Sequence, residues 1–340
     1  MKYDPVPLVT EQRQNKKPNL KMDRPVKMNF FKKWLICSRP FSFPASTMPV
    51  VFGSVGAAAY GGNAFKPGLF ILSLLGMVVL HSAANILSDI NDYKKGLDRV
   101  PIPVSGGVVR GMITLKEALV ASAILFLAGA LIGFYLAWKS GPLLLAIGGL
   151  GLLVGIFYTR GGKISLKYHA LGDLAVFLNF GILGSLGSWY VQSGSFSWIP
   201  VVWAVPMAMH VIAILHANNW RDIVSDKKGD ITTIASLLGD NGSLRYYAFM
   251  IFGPFAIVLG LIFAPRILPG DIPAMPLPFL LTLMALPLAV KLWHKAIRRK
   301  EPIDPLDFIA LDGATAKLNL LFGTLCTVAL LLNVVILNLK

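Results

Sequence analysis

From residue 45 to the C-terminus, apolar residues fall in long blocks, with polar and charged residues confined mostly to the gaps. Nine blocks stand out, at approximately 45–64, 67–88, 116–138, 141–158, 170–192, 198–218, 244–264, 273–294 and 316–338. Crossing a bilayer core takes about 20 apolar residues in a helix, so the pattern predicts nine transmembrane helices. Gly and Pro punctuate several blocks (Pro49, Gly53, Gly56, Gly76, Gly181, Gly184, Pro206, Pro287). Both are at home in membrane helices, where neighbouring backbones pack closely. The expected fold is an all-α, polytopic membrane helix bundle, a single domain over 34–340.

Composition supports this reading. Of the 340 residues 55% are hydrophobic and 14% charged, against roughly 25% charged in soluble domains. That excludes an ordinary soluble globule and a disordered chain. The two cysteines, Cys37 and Cys326, are too few and too far apart for a disulfide framework or a cysteine metal site. The net charge of +15 could suggest nucleic acid, but its placement does not. Residues 1–33 form a basic stretch with no apolar core of a signal peptide, and read as a largely disordered tail. Its Lys27, Lys32 and Lys33 are placed to attract anionic headgroups. Of the 32 Lys and Arg, 28 fall on the side of the N-terminus; only Lys66, Lys139, Arg266 and Lys340 fall on the other. By the positive-inside rule the N-terminus is cytoplasmic, and nine spans would put the C-terminus outside. In a bacterium the bilayer would be the cytoplasmic membrane.

Acidic residues are scarce and clustered. Asp89, Asp92 and Asp98 follow Asn85 where the second block ends; Asp222, Asp226 and Asp230 follow Asn219 and Arg221 where the sixth ends. Asn85, Asp89 and Asp92 share a face if the helix continues, as do Asn219, Asp222 and Asp226. Stacked carboxylates repel unless a cation sits between them. Oxygen donors without His or Cys suit Mg²⁺, which combines one or two carboxylates with waters and substrate phosphates. Two such clusters on one side could clamp a diphosphate through two or more ions. The simpler alternative is a pair of solvated loops neutralised by Lys94, Lys95, Lys227 and Lys228.

At these residues the chain resembles the UbiA superfamily of intramembrane aromatic prenyltransferases. It most resembles the 1,4-dihydroxy-2-naphthoate polyprenyltransferases and their animal menaquinone-forming relatives. The first cluster matches N-x-x-N-D-x-x-D-x-x-x-G-x-D, with Ser88 in place of the usual Asn; the second matches N-N-x-R-D-x-x-x-D followed by Thr233. Arg39-Pro40, Tyr158-Thr159, Tyr168 to Asp173, Gly187 to Gly194, and Thr315 to Asn319 add to the likeness, which runs from about 39 to 325.

The resemblance implies a nine-helix bundle with a central cavity open to the cytoplasm and to lipid. It implies Mg²⁺ bound by Asn85, Asp89, Asp92, Asp222 and Asp226, with Asp98 and Asp230 as outer ligands. The polyprenyl diphosphate would meet Asn85, Asn219, Lys167 and Arg221, the last two at matching family positions; Lys94 and Lys163 are added because they lie in the same loops, and these cations would offset the charge of the leaving diphosphate. Tyr158 would face the allylic cation. The expected activity is Mg²⁺-dependent polyprenyl transfer to an aromatic acceptor, 1,4-dihydroxy-2-naphthoate with decarboxylation, in menaquinone biosynthesis. Other acceptors (4-hydroxybenzoate, homogentisate, haem, chlorophyllide, lipid) share the Asp motifs. A membrane transporter is the reading from another class, but it calls for polar groups reaching both faces. His81, Asn179 and His210 are expected to face the bundle interior. The general base is not readable from the sequence.

Overall fold

A computed structural model describes residues 29–96, 106–159, 165–267, 270, 272–298 and 310–339. The basic tail up to residue 28, Asp98 and Lys163 lie outside the described residues. The stretch read as tail runs to 33, but a helix, α1 (Phe30–Cys37), already begins at Phe30. Burial pushes the Cys37 thiol up to about 11, with the nearby Asp89 carboxylate adding to the effect.

Every predicted apolar block is helical: α2 (Pro44–Tyr60), α3 (Pro67–Lys95), α4 (Leu115–Ser140), α5 (Leu143–Thr159), α6 (Gly172–Ser193), α7 (Ile199–Arg221), α9 (Ile234–Ile267), α10 (Leu277–Ile297) and α11 (Leu311–Asn338). A short helix, α8 (Ile223–Lys228), follows α7. Seven of the described helices are long and apolar enough to cross a membrane; α2 and α5, at 17 residues each, are shorter.

Local chemistry sets the helix ends. Pro44 and Pro67 open α2 and α3, where a missing N–H costs nothing. Thr114 and Glu117 form a reciprocal cap on α4. Gly96, with φ at 68°, ends α3 by donating to the carbonyls of Asp92 and Tyr93. This stop comes one turn after Asp92, so Asn85, Asp89 and Asp92 all lie on α3.

The helices pack through small residues. α2 lies against α6, α3 against α4, α7 against α9, and α11 against α2, α7 and α10. At the α2–α6 crossing Gly53 sits so close that a Cβ would collide with the Ser185 carbonyl and the Ser188 hydroxyl. Exposed Ile124, Leu127, Leu131 and Phe134 line the outside of α4. Some polar groups in the spans turn inward and find partners. Tyr247 and Thr315 hydroxyls are 2.7 Å apart, and Asn319 donates to the Pro44 carbonyl at 2.9 Å. Helix α6 widens into a π-helical stretch over Phe177–Leu183. Such a bulge shifts the face of a helix partway along its length; here the stretch carries Asn179 and Phe180, which line the cavity described below.

Candidate active site

A cavity of about 190 Å³ opens among α3, α5, α6, α7 and the start of α11. Asn85, Ser88 and Asp92 line it from α3, Tyr158 from α5, Lys167 from the segment before α6, and Asn219, Arg221, Asp222 and Asp226 from the end of α7 and the start of α8. The two acidic clusters, 130 residues apart counting from Asp92 to Asp222, therefore meet across one space. Four aspartates (92, 222, 226, 312) and three cations (Arg39, Lys167, Arg221) line it. Side chains become apolar away from this end, with Ala175, Val176, Val211 and Ile214 on the walls.

On α3 the lining face differs from the predicted one. Helical residues step about 100°, which puts Asn85, Ser88 and Asp92 within roughly 60° of one another and Asp89 about 40° beyond Asn85. Asp89 is turned out of the cavity: it is 2% exposed, accepts the Val108 N–H at 2.8 Å, and has its other carboxylate oxygen buried without a partner. Ser88 takes the place on the lining face.

Asp92 is held by Lys167, whose Nζ donates to both carboxylate oxygens at 2.7 and 2.8 Å and to Ser88 Oγ at 3.0 Å. The Tyr168 hydroxyl donates to Asp92 at 3.5 Å. Burial and the Asp92 charge push that hydroxyl well above its ordinary range, so it stays a donor. On the other side α7 stops at Arg221, and Asp222 begins a new turn rather than continuing the face with Asn219. Arg221 grips Asp222 with two bonds of 2.9 Å and reaches Asp312 at 2.8 Å. Asn85 donates to the Ser38 carbonyl at 2.9 Å and to Ser42 Oγ at 3.3 Å.

Two other expected residues stand apart. Lys94 is exposed and does not line the cavity, and Asp230 is exposed on a left-handed turn with φ at 53°. Nine helical steps put Lys94 about 180° around α3 from Asn85, on the side away from the cavity. Asp312 was not singled out in the sequence. It is buried at the start of α11 and ties Arg221 and Asn218 (3.3 Å) together. Its signal was its place, three residues ahead of the Thr315–Asn319 segment, as the last of a run of acids that includes Asp304 and Asp307. His210 and His216 face the α9 backbone, within 3.5 Å of the Ile251 carbonyl and 3.2 Å of the Ser243 carbonyl, away from the cavity.

Asp92, Asp222 and Asp226 present only hard oxygens to the cavity, a donor set that fits Mg²⁺ better than a transition metal. Among the described residues no three His, Cys, Asp or Glu side chains come together to hold a metal ion. Asp92 and Asp222 are instead neutralised by Lys167 and Arg221. A cation that brings its own phosphate ligands needs only one or two of these carboxylates.

A second cavity, of about 410 Å³, adjoins the first and shares Ala84, Gly155, Asn179 and Phe180 with it. Its walls are small and aliphatic residues of α3, α4, α5 and α6, among them Met77, Leu80, Leu136 and Leu183.

Comparison with known proteins agrees with the layout. The UbiA prenyltransferase family model matches residues 47–311. The chain is similar to the UbiA prenyltransferase domain-containing protein 1 homolog of Drosophila melanogaster, 33% identical over 88% of this chain and 79% of that protein. It is 31% identical to UbiA prenyltransferase domain-containing protein 1 of Homo sapiens over 85% of this chain and 80% of that one. Among solved structures, an apo UbiA homolog from Aeropyrum pernix K1 has a TM-score of 0.60 at 20% identity, covering 84% of this chain and 97% of its own. A UbiA homolog from Archaeoglobus fulgidus bound to DMAPP and Mg²⁺ has a TM-score of 0.54 at 13% identity, covering 87% and 99%.

Proposed function

The chain belongs to the UbiA prenyltransferase family, and from that premise we propose that it transfers a polyprenyl group from polyprenyl diphosphate to 1,4-dihydroxy-2-naphthoate, with loss of CO₂. The observation that carries the reading is the convergence of both Asp motifs with Lys167 and Arg221 on one cavity. Its continuation is an apolar cavity suited to an isoprenoid chain. The naphthoate acceptor rests on the Tyr168–Asp173 and Thr315–Asn319 segments. The bundle spans the bilayer nine times: α2 and α5, at 17 residues, reach about 25 Å, the short end of what a span requires. The domain covers 34–340, and the cavity mouth faces the cytoplasm.

In this reading Asp92, Asp222 and Asp226 would hold Mg²⁺, with Asn85 and Asp98 as further family positions; Asp89 is turned out of the cavity and Asp230 stands apart from it. Mg²⁺ supplies Lewis-acid stabilisation of the charge on the departing diphosphate. Lys167 and Arg221, preset by Asp92, Asp222 and Asp312, supply fixed positive charge at the same end. Asn219 and Lys163 complete the diphosphate shell, whereas Lys94, exposed and off the cavity wall, takes no part in it. Tyr158 offers its ring face to the allylic carbon. The apolar walls keep water from trapping the cation.

The test is to incubate purified protein with Mg²⁺, geranyl diphosphate and a panel of aromatic acceptors, reading products by mass. Prenylated naphthoate without its carboxyl group is expected, with 4-hydroxybenzoate a poor substrate. A bicyclic pocket holds a single ring loosely, and misplacement by about 1 Å can cost on the order of 10²-fold. A preference for 4-hydroxybenzoate, or a product that keeps its carboxylate, would overturn the acceptor assignment. Undiminished activity in EDTA would overturn the metal.

A further inference from the structure

The wall of the cavity farthest along α3 from Asp92 carries one ionisable side chain that the diphosphate does not need: His81. It is 5% exposed, yet it lines the cavity. Eleven residues of helix separate it from Asp92, roughly 16 Å along the axis. That distance accommodates, in series, a diphosphate, the allylic carbon and an aromatic ring.

The imidazole is held on three sides. Phe180 stacks on it with ring centres 4.7 Å apart and planes at 34°, and Phe43 leans in at 5.7 Å. Nδ1 is 2.7 Å from Ser46 Oγ, on the wall; Nε2 is 3.3 Å from Ser42 Oγ, a cavity-lining residue. Each serine hydroxyl has one proton, and each is directed at a backbone carbonyl: Ser46 at Phe43 (3.1 Å) and Ser42 at Arg39 (2.8 Å). A neutral ring whose Nδ1–H donates to Ser46 keeps both serine-to-carbonyl bonds and leaves the lone pair on Nε2, and this is the tautomer we assign. Ser42 has no proton to give that lone pair and already accepts from Asn85. The Nε2 lone pair, weakly engaged, therefore lies at the cavity wall beside Ser42, where an aromatic acceptor would sit.

We propose that the Phe180–His81–Ser42 wall is the acceptor subsite and that His81 Nε2 takes the proton of the acceptor's ring hydroxyl. The proposal rests on the aromatic-acceptor reading above. As the ring carbon bonds to the allylic carbon, the C–O bond to diphosphate breaks and its electron pair leaves with the diphosphate. The hydroxyl proton passes to Nε2 and the ring oxygen becomes a carbonyl. Where the attacked carbon bears a carboxylate, loss of CO₂ returns an electron pair to the ring. The oxygen then recovers its proton from His81, and no net proton is released. Ser46 acts as a positioning residue that fixes the tautomer.

The test uses the full chain and His81→Asn, whose side-chain N–H can still reach Ser46 but which has no basic nitrogen. Acceptors are 1,4-dihydroxy-2-naphthoate and a ring-fluorinated analogue with a more acidic hydroxyl; the donor is geranyl diphosphate. We expect kcat to fall by at least about 10²-fold, with the deficit shrinking on the fluorinated acceptor. Mg²⁺-dependent binding of geranyl diphosphate, measured directly, should be unchanged, which also shows that the variant is folded. A variant within about threefold of wild type, or an equal deficit on both acceptors, would overturn the proposal. So would loss of geranyl diphosphate binding, which would place His81 in the support of the diphosphate end. Wild-type protein that prenylates no aromatic acceptor would overturn the acceptor reading itself, a result distinct from an active wild type with an equally active variant.

Discussion

At the scale of single residues, charge pairing dominates the cavity. Asp92 and Lys167, with side chains 11% and 18% exposed, form a largely desolvated pair. Removing one partner of such a pair leaves a buried charge and costs about 3–5 kcal/mol, whereas replacing both is far cheaper. Lys167→Met should therefore lower the melting midpoint in detergent markedly, and Lys167→Met combined with Asp92→Asn should recover most of it. Both should lack prenyl transfer. Equal melting of single and double variants would show that the pair is not coupled. The clustering of acids was legible in the sequence, because acids are rare in this chain and each one near a span needs a reason. The choice between Ser88 and Asp89 was not. The two differ by one helical step, and which of them faces the cavity depends on how α3 is rotated against its neighbours.

At the scale of elements, close helix contacts explain the glycines better than flexibility does. The α2–α6 crossing depends on Gly53, where any side chain meets the Ser185 carbonyl. Overpacking costs typically about 1–3 kcal/mol, and here the obstacle is backbone that cannot rotate away. Gly53→Val should shift the thermal midpoint down and reduce yield. Gly133→Val on α4, where nothing stands within 4 Å of a Cβ, should do neither. A comparable loss in both would point to helix propensity instead of contact. Helices α2 to α7 and α9 to α11 were visible as apolar blocks, seven of them long and apolar enough to cross a membrane, because burial in lipid requires both length and hydropathy. The π-helical stretch over Phe177–Leu183 was not visible. Its hydrogen bonding answers to the packing of α6 on α7 and α2, and no residue in it carries a distinctive local signal.

At the scale of the whole molecule, both acidic motifs reach one cavity, and the charge count predicts that its mouth faces the cytoplasm. A reporter fused after Lys340 should be extracytoplasmic, and one inserted between Asp89 and Arg110 cytoplasmic. A cytoplasmic C-terminus would mean an even number of spans and would remove the one-sided site from the account. What the sequence determined by itself is whatever follows from solvent: helices long enough for lipid, basic loops on one side, and a few acids that the bilayer edge tolerates only with a purpose. Hydropathy and charge act residue by residue and can be read in order along the chain. Only the tertiary structure decided which acids share a space, that Asp312 secures Arg221 from a helix 91 positions away, and that His81 stands on the cavity wall between Ser42 and Ser46. Those are distances between segments far apart in the chain, and they exist only once the helices have packed.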